Sequence, residues 1–142
     1  SLVVPLGKAA TLRTGSDLTI VSWSKMAQAT LEAAGDLAAH GISAEVIDLR
    51  TLWPWDREAV LDSAARTGRL LVVHEAIQAA GFGAEVAATA AEQLGCRVAR
   101  LGAPRIPVGY APVLEAASRI SPAKIADAAR ALLTDKPALA PK

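Results

Sequence analysis

Apolar positions along this chain come in alternating blocks: short β-branched runs, each followed by a longer stretch with helical spacing. Leu18–Trp23 is a compact apolar run that predicts a strand. Lys25 to about Ala39 holds strong helix formers, with Met26, Ala29, Ala33 and Leu37 on one face and Ser24 placed to cap it. His40-Gly41 ends that helix. Ala44–Leu49 predicts a second strand, and Arg50–Trp55 an irregular connector broken by Pro54. Asp56 is positioned as N-cap of a helix to about Arg66. Arg69–His74 is nearly all apolar, as in a parallel strand covered on both faces.

A loop over 75–82, a helix from Gly83 to Leu94 and a strand over Arg97–Leu101 follow. The pattern then loosens. Pro104, Pro107, Gly109 and Pro112 mark a long loop, with a short helix expected over Ala111–Ala117. Ser121-Pro122 opens a last helix to Leu133. Residues 1–134 therefore read as one domain, and the Pro-bearing stretch 135–142 as a disordered tail. Ala9–Arg13 is a candidate extra edge strand. Strands alternating with helices imply an α/β fold of three layers with right-handed crossovers.

The composition removes several classes of function. Net charge is +1 over 142 residues, aromatic residues are 4%, and Lys and Arg form no stripe. Nucleic acid and membrane surfaces are not indicated as partners. No apolar run reaches the roughly 20 residues needed to cross a bilayer. No signal peptide is visible, so a cytoplasmic location is expected, and Ser1-Leu2 reads as a cut rather than a natural start. The single cysteine, Cys96, excludes an intrachain disulfide and a thiolate zinc cluster, and reads as a small apolar residue.

Among candidate chemical groups, His74 stands at the carboxyl end of the most apolar strand, followed by Glu75. Open α/β sheets place ligands at that edge, and a His-Glu pair can do acid-base work. The competing reading is a strand end whose side chains hydrogen-bond to loops. Gly81-Phe82-Gly83 has two of the three glycines of a dinucleotide fingerprint, so an anion or nucleotide at that helix start is a further alternative. Trp23 is expected in the core. Trp53 and Trp55 bracket Pro54, and either a local core or a protein contact would explain them. Taken alone, the residues favour a binding or interface domain over a free-standing enzyme.

Read together, Gly41–Asp56, Thr67–Ala76, Gly81–Glu85, Pro5–Ala9 and Tyr110–Glu115 resemble segments of the beta subunits of thiamine-dependent 2-oxo acid dehydrogenases, whose substrates include pyruvate, branched-chain 2-oxo acids and acetoin. The resemblance runs from about Val4 to Leu133 and implies a transketolase-type carboxy-terminal domain. That domain has a five-stranded, mostly parallel sheet with one antiparallel strand. It also implies a parent enzyme that decarboxylates a 2-oxo acid and passes the acyl group to a lipoyl domain. Thiamine diphosphate and Mg would be held by other parts of that enzyme, not by this domain. The implied partners are the remainder of the beta subunit, an alpha subunit, a second beta subunit and the subunit-binding domain of the acyltransferase. No residue is expected to be catalytic, cofactor-binding or metal-binding. The candidate interface or strand-edge residues are Trp53, Trp55, His74, Glu75, Gly81, Phe82, Gly83 and Tyr110. Gly109 departs from the pattern, standing where many relatives have Pro. An exposed apolar patch with Trp53 or Trp55, leading to self-association, is a further expectation.

Overall fold

The computed structural model describes residues 3–134. The expected tail at 135–142 lies outside them. Five strands form one sheet: β1 (Ala10–Arg13), β2 (Leu18–Ser22), β3 (Ala44–Asp48), β4 (Arg69–Ile77) and β5 (Arg97–Ala103). Their order is β1-β3-β2-β4-β5. β1 runs antiparallel to β3, and the other pairs are parallel. The five helices are α1 (Lys25–Ala39), α2 (Arg57–Thr67), α3 (Gly83–Leu94), α4 (Pro112–Ser118) and α5 (Pro122–Leu133). The expected fold class, with one antiparallel strand, is the observed one.

The parallel strands have two buried faces, so their side chains divide between two cores. Leu18, Ile20, Leu71 and Val73 join α1 and α5 through Leu37, Ile125 and Ala129. Val21, Leu70 and Val72 join α2 and α3 through Val60, Val86 and Ala90. The chain leaves β2 toward β3 in one direction and β4 toward β5 in the other. The ends of β2 and β4 therefore flank the switch point, where open α/β sheets form a crevice.

Three local expectations change. Ser24 does not cap α1 with its side chain; its backbone takes φ 56° rather than the extended conformation usual for a capping residue. β4 does not stop at His74 but continues to Ile77. On the helical face of α1, Met26, Ala33 and Leu37 are buried with Ala27, Thr30 and Ala34, whereas Ala29 sits at its margin.

Asp56 does more than cap α2. Its Oδ1 accepts the Ala59 N–H at 3.3 Å, while Oδ2 accepts the Ala9 N–H at 3.0 Å and lies 3.8 Å from Lys8 Nζ. One buried carboxylate thus joins the amino-terminal segment to a helix start. Asp56→Ala is expected to cost about 2 kcal/mol, the upper range for loss of a cap. Urea denaturation measures that cost, and faster proteolysis within residues 3–9 would report the freed segment.

Candidate functional site

The end of β4 carries the most unusual local structure. Val73 pairs with Leu101 and Ile77 with Ala103, so four steps along β4 match two along β5. The extra residues form a bulge over His74–Ala76, a device that re-aims side chains at sheet rims. Beyond it, Gln78 stitches the chain back to β5. Its N–H donates to Ala103 O at 2.9 Å, and its side-chain Oε1 accepts the Gly102 N–H at 3.2 Å.

His74 is fully buried inside this bulge. Its Nδ1 is 3.0 Å from Ala76 O. A carbonyl can only accept, so Nδ1 carries the proton and Nε2 is the bare acceptor. Nε2 is buried and has no hydrogen-bond partner among the described residues. The ring stacks on Trp23 with centroids 5.3 Å apart and planes 16° from parallel. Burial pushes the His74 pKa below 6.5; the bond to Ala76 works the other way, and the Arg100 charge lowers it further. Burial thus favours the neutral imidazole.

Gly81 and Gly83 close the opposite side. A Cβ on Gly83 would lie 2.5 Å from His74 Cδ2 and Nε2, and one on Gly81 would lie 2.6 Å from Cε1. These glycines serve close packing against the imidazole. The start of α3 is occupied in the same way. The Ala84 and Glu85 N–H groups donate to Gly81 O and Phe82 O, and the His74 ring fills the space above Gly83. That arrangement leaves no phosphate cradle, so nothing favours the anion or nucleotide reading. Phe82 packs edge-on against both Trp23 and Trp55.

Glu75 is exposed and lines open grooves with Met26, Arg119 and Ile120, on the α1 and α5 side of the sheet. His74 packs toward Phe82 and α3 on the other side. The two neighbours in sequence therefore never form the acid-base pair considered above. No group of three or more His, Cys, Asp or Glu among the described residues could hold a metal ion. Cys96 is half-buried, and burial raises its thiol pKa.

The tryptophans around Pro54 divide between two roles. Trp55 packs on the core beside Phe82, whereas Trp53 is 81% exposed and makes no ring contact among the described residues. The Trp53–Pro54 peptide is cis. Of the two tryptophans offered for an exposed apolar patch, Trp53 is exposed, as are Leu6 and Leu52, and Trp55 is not. Trp23 is half-buried, between strand end and loop. A second apolar surface, absent from the expectations apart from Tyr110, comprises Ile77, Ile106, Val108, Tyr110, Val113 and Leu114. Leu114 lies against Gly109, in space that a proline ring at 109 would claim.

Sequence reasoning also passed over Glu45, in the middle of a buried strand. It accepts from Ser63 Oγ and Arg66 Nη2, each at 2.5 Å, and the Gly15 N–H points at its other oxygen. Burial raises its pKa, but these hydrogen bonds outweigh that and hold it below the usual 4.5. Its signal was available: a carboxylate within a strand otherwise built for the interior.

A family model described as transketolase, C-terminal domain, matches residues 7–125. The chain is 38% identical over 135 residues to the 2-oxoisovalerate dehydrogenase subunit beta of Bacillus subtilis, covering 92% of this chain and 41% of the relative. It is 41% identical over 131 residues to the acetoin:2,6-dichlorophenolindophenol oxidoreductase subunit beta of Cupriavidus necator, covering 89% and 39%. A solved structure of a split gene transketolase, an inactive beta4 tetramer, matches with TM-score 0.87 at 30% identity, over 96% of this chain and 45% of that one. The chain thus spans less than half the length of these relatives.

Proposed function

From the premise that this chain belongs to the transketolase carboxy-terminal domain family, and that its curated relatives include beta subunits of 2-oxo acid dehydrogenases, we propose that it is the assembly and partner-docking domain of such a subunit. The parent activity would be oxidative decarboxylation of a 2-oxo acid with acyl transfer to a lipoyl group. The observation that carries this reading is the packed His74 side of the strand edge. The one buried histidine is locked against Trp23, Gly81 and Gly83, while large apolar side chains such as Trp53 and Tyr110 are exposed elsewhere on the surface. Such surfaces suit subunit contacts better than chemistry.

For thiamine diphosphate and its magnesium, the reading places the site outside this domain. The described residues offer no cluster of metal-ligating side chains, and the α3 helix start is filled by His74. We therefore place the cofactor in other parts of the parent enzyme. The proposed partners are the remainder of the beta subunit, an alpha subunit, a second beta subunit and the subunit-binding domain of the acyltransferase, in the cytoplasm. Relatives named for 2-oxoisovalerate, acetoin and pyruvate match to similar extents, so the 2-oxo acid is left unassigned.

Calorimetric titration with a cognate subunit-binding domain is expected to give saturable heat. Thiamine diphosphate with Mg titrated in parallel is expected to give none. Cofactor binding without partner binding would overturn the assembly role.

A further inference from the structure

We propose that the surface made by Leu6, Leu52 and Trp53 is where this domain docks against the domain preceding it in its longer relatives. The proposal rests on reading the chain as the carboxy-terminal part of a beta subunit.

Trp53 is 81% exposed and Leu6 77%, yet the loop beneath them is firmly tied. Thr51 Oγ1 donates to Pro54 O at 2.7 Å and accepts the Gly7 N–H at 3.0 Å. Gly7 lies against the Pro54 ring and takes φ +72°. One residue past Pro54, Trp55 is anchored in the core beside Phe82. A large ring held out on a rigid support, with no intramolecular ring partner among the described residues, has the form of an interface anchor. Lys8, paired with Asp56 at 3.8 Å and Glu58 at 4.0 Å, adds a charged rim beside the apolar centre.

The course of the chain identifies the occupant. The contacts of Gly7 and Ala9 bring residues 7–9 across this loop, so the polypeptide before Gly7 enters the domain beside Trp53. In the Bacillus subtilis relative, 41% of the length is matched, and the matched family is by description a C-terminal domain. Most of the relative therefore precedes the matched segment and joins it at this end. The other exposed apolar side chains, from Ile106 to Leu114, follow β5, at the opposite edge of the sheet from β1 and β3, and are out of the path of the incoming chain.

The test joins the 142-residue chain behind the part of the Bacillus subtilis subunit that it does not match, in that relative's order. Trp53 is read as the difference in acrylamide quenching between parent and Trp53→Phe. In the 142-residue chain this component is expected to be freely quenched, and in the joined protein several-fold less. Trp53→Asp in the joined protein is expected to split thermal unfolding into two transitions and to open residues 3–8 to protease. Tyr110→Asp, at the opposite edge, is expected to leave one transition. Equal quenching of Trp53 in both proteins overturns the proposal, as does single-transition unfolding of Trp53→Asp. So does a Trp53→Asp effect confined to dissolving a dimer of the 142-residue chain, which would make a second copy the occupant. Assembly of the joined protein with the alpha subunit of the same enzyme reports separately on the beta-subunit reading. If it assembles with Trp53 still exposed, only the docking surface is wrong.

Discussion

His74→Ala is expected to destabilise the domain by about 3–4 kcal/mol, the range for deleting a large buried ring without collapse of the space around it. The ring is sandwiched between Trp23 and the Gly81 and Gly83 backbone, and its Nδ1–H satisfies the Ala76 carbonyl of the bulge. Alanine removes the packing and leaves that carbonyl without its donor. Denaturant midpoints at about pH 7.5 would show the loss, and a change under about 1 kcal/mol would mean that the site can refill.

The same residue sets a pH dependence with a definite sign. In the folded domain the His74 pKa lies below 6.5, because protonating the buried, unpartnered Nε2 is resisted. The unfolded chain has no such resistance. As pH falls through 6.5 the unfolded state gains the proton first, and stability drops. The loss is complete once pH passes below the folded pKa, and above 6.5 the contribution is constant. His74→Asn, which cannot titrate, should be less stable at neutral pH but flatter across that window. An unchanged slope in His74→Asn would assign the acid sensitivity to other groups.

The strands and helices of the sheet were legible because each carries its own local signal. The β2 and β4 segments are rich in apolar residues, and α2 and α5 open on Asp56 and Ser121, whose side chains do accept the capping N–H groups. The site was less legible, because what defines it is side-chain packing between distant segments. His74 and Glu75 stand adjacent in sequence and look like a pair, but a two-residue bulge and opposite faces separate them. Polar Glu75 interrupts the apolar run, which is why β4 was expected to end three residues early. Gly81 and Gly83 were visible as glycines, but their reason is an imidazole seven and nine positions upstream. Trp53 and Trp55 could not be told apart by composition. Only the seating of Trp55 on Phe82 assigns one inward and the other outward.

Gly15→Ala provides the second large effect, and it depends on backbone rather than side-chain proximity. The turn between β1 and β2 lies directly on the start of β3. The Ser16 and Asp17 N–H groups donate to Ser43 O, and the Asp17 carboxylate accepts the Ser43 N–H at 2.7 Å. A Cβ on Gly15 would fall inside 3.0 Å of Ala44 and Glu45 backbone atoms, which cannot rotate aside. The turn would have to lift, weakening both its bonds to Ser43 and the approach of the Gly15 N–H to Glu45. The expected cost is about 3 kcal/mol, the upper range for overpacking. Gly35→Ala is the internal control. Gly35 lies exposed within α1, and a methyl added there would meet nothing within 4 Å. The same substitution at that position should stabilise by about 0.5–1 kcal/mol through helix propensity. Opposite signs for one chemical change would show that the β1–β2 turn is held by backbone contact with β3. Equal signs would show that the turn can lift without loss and that Glu45 does not depend on it.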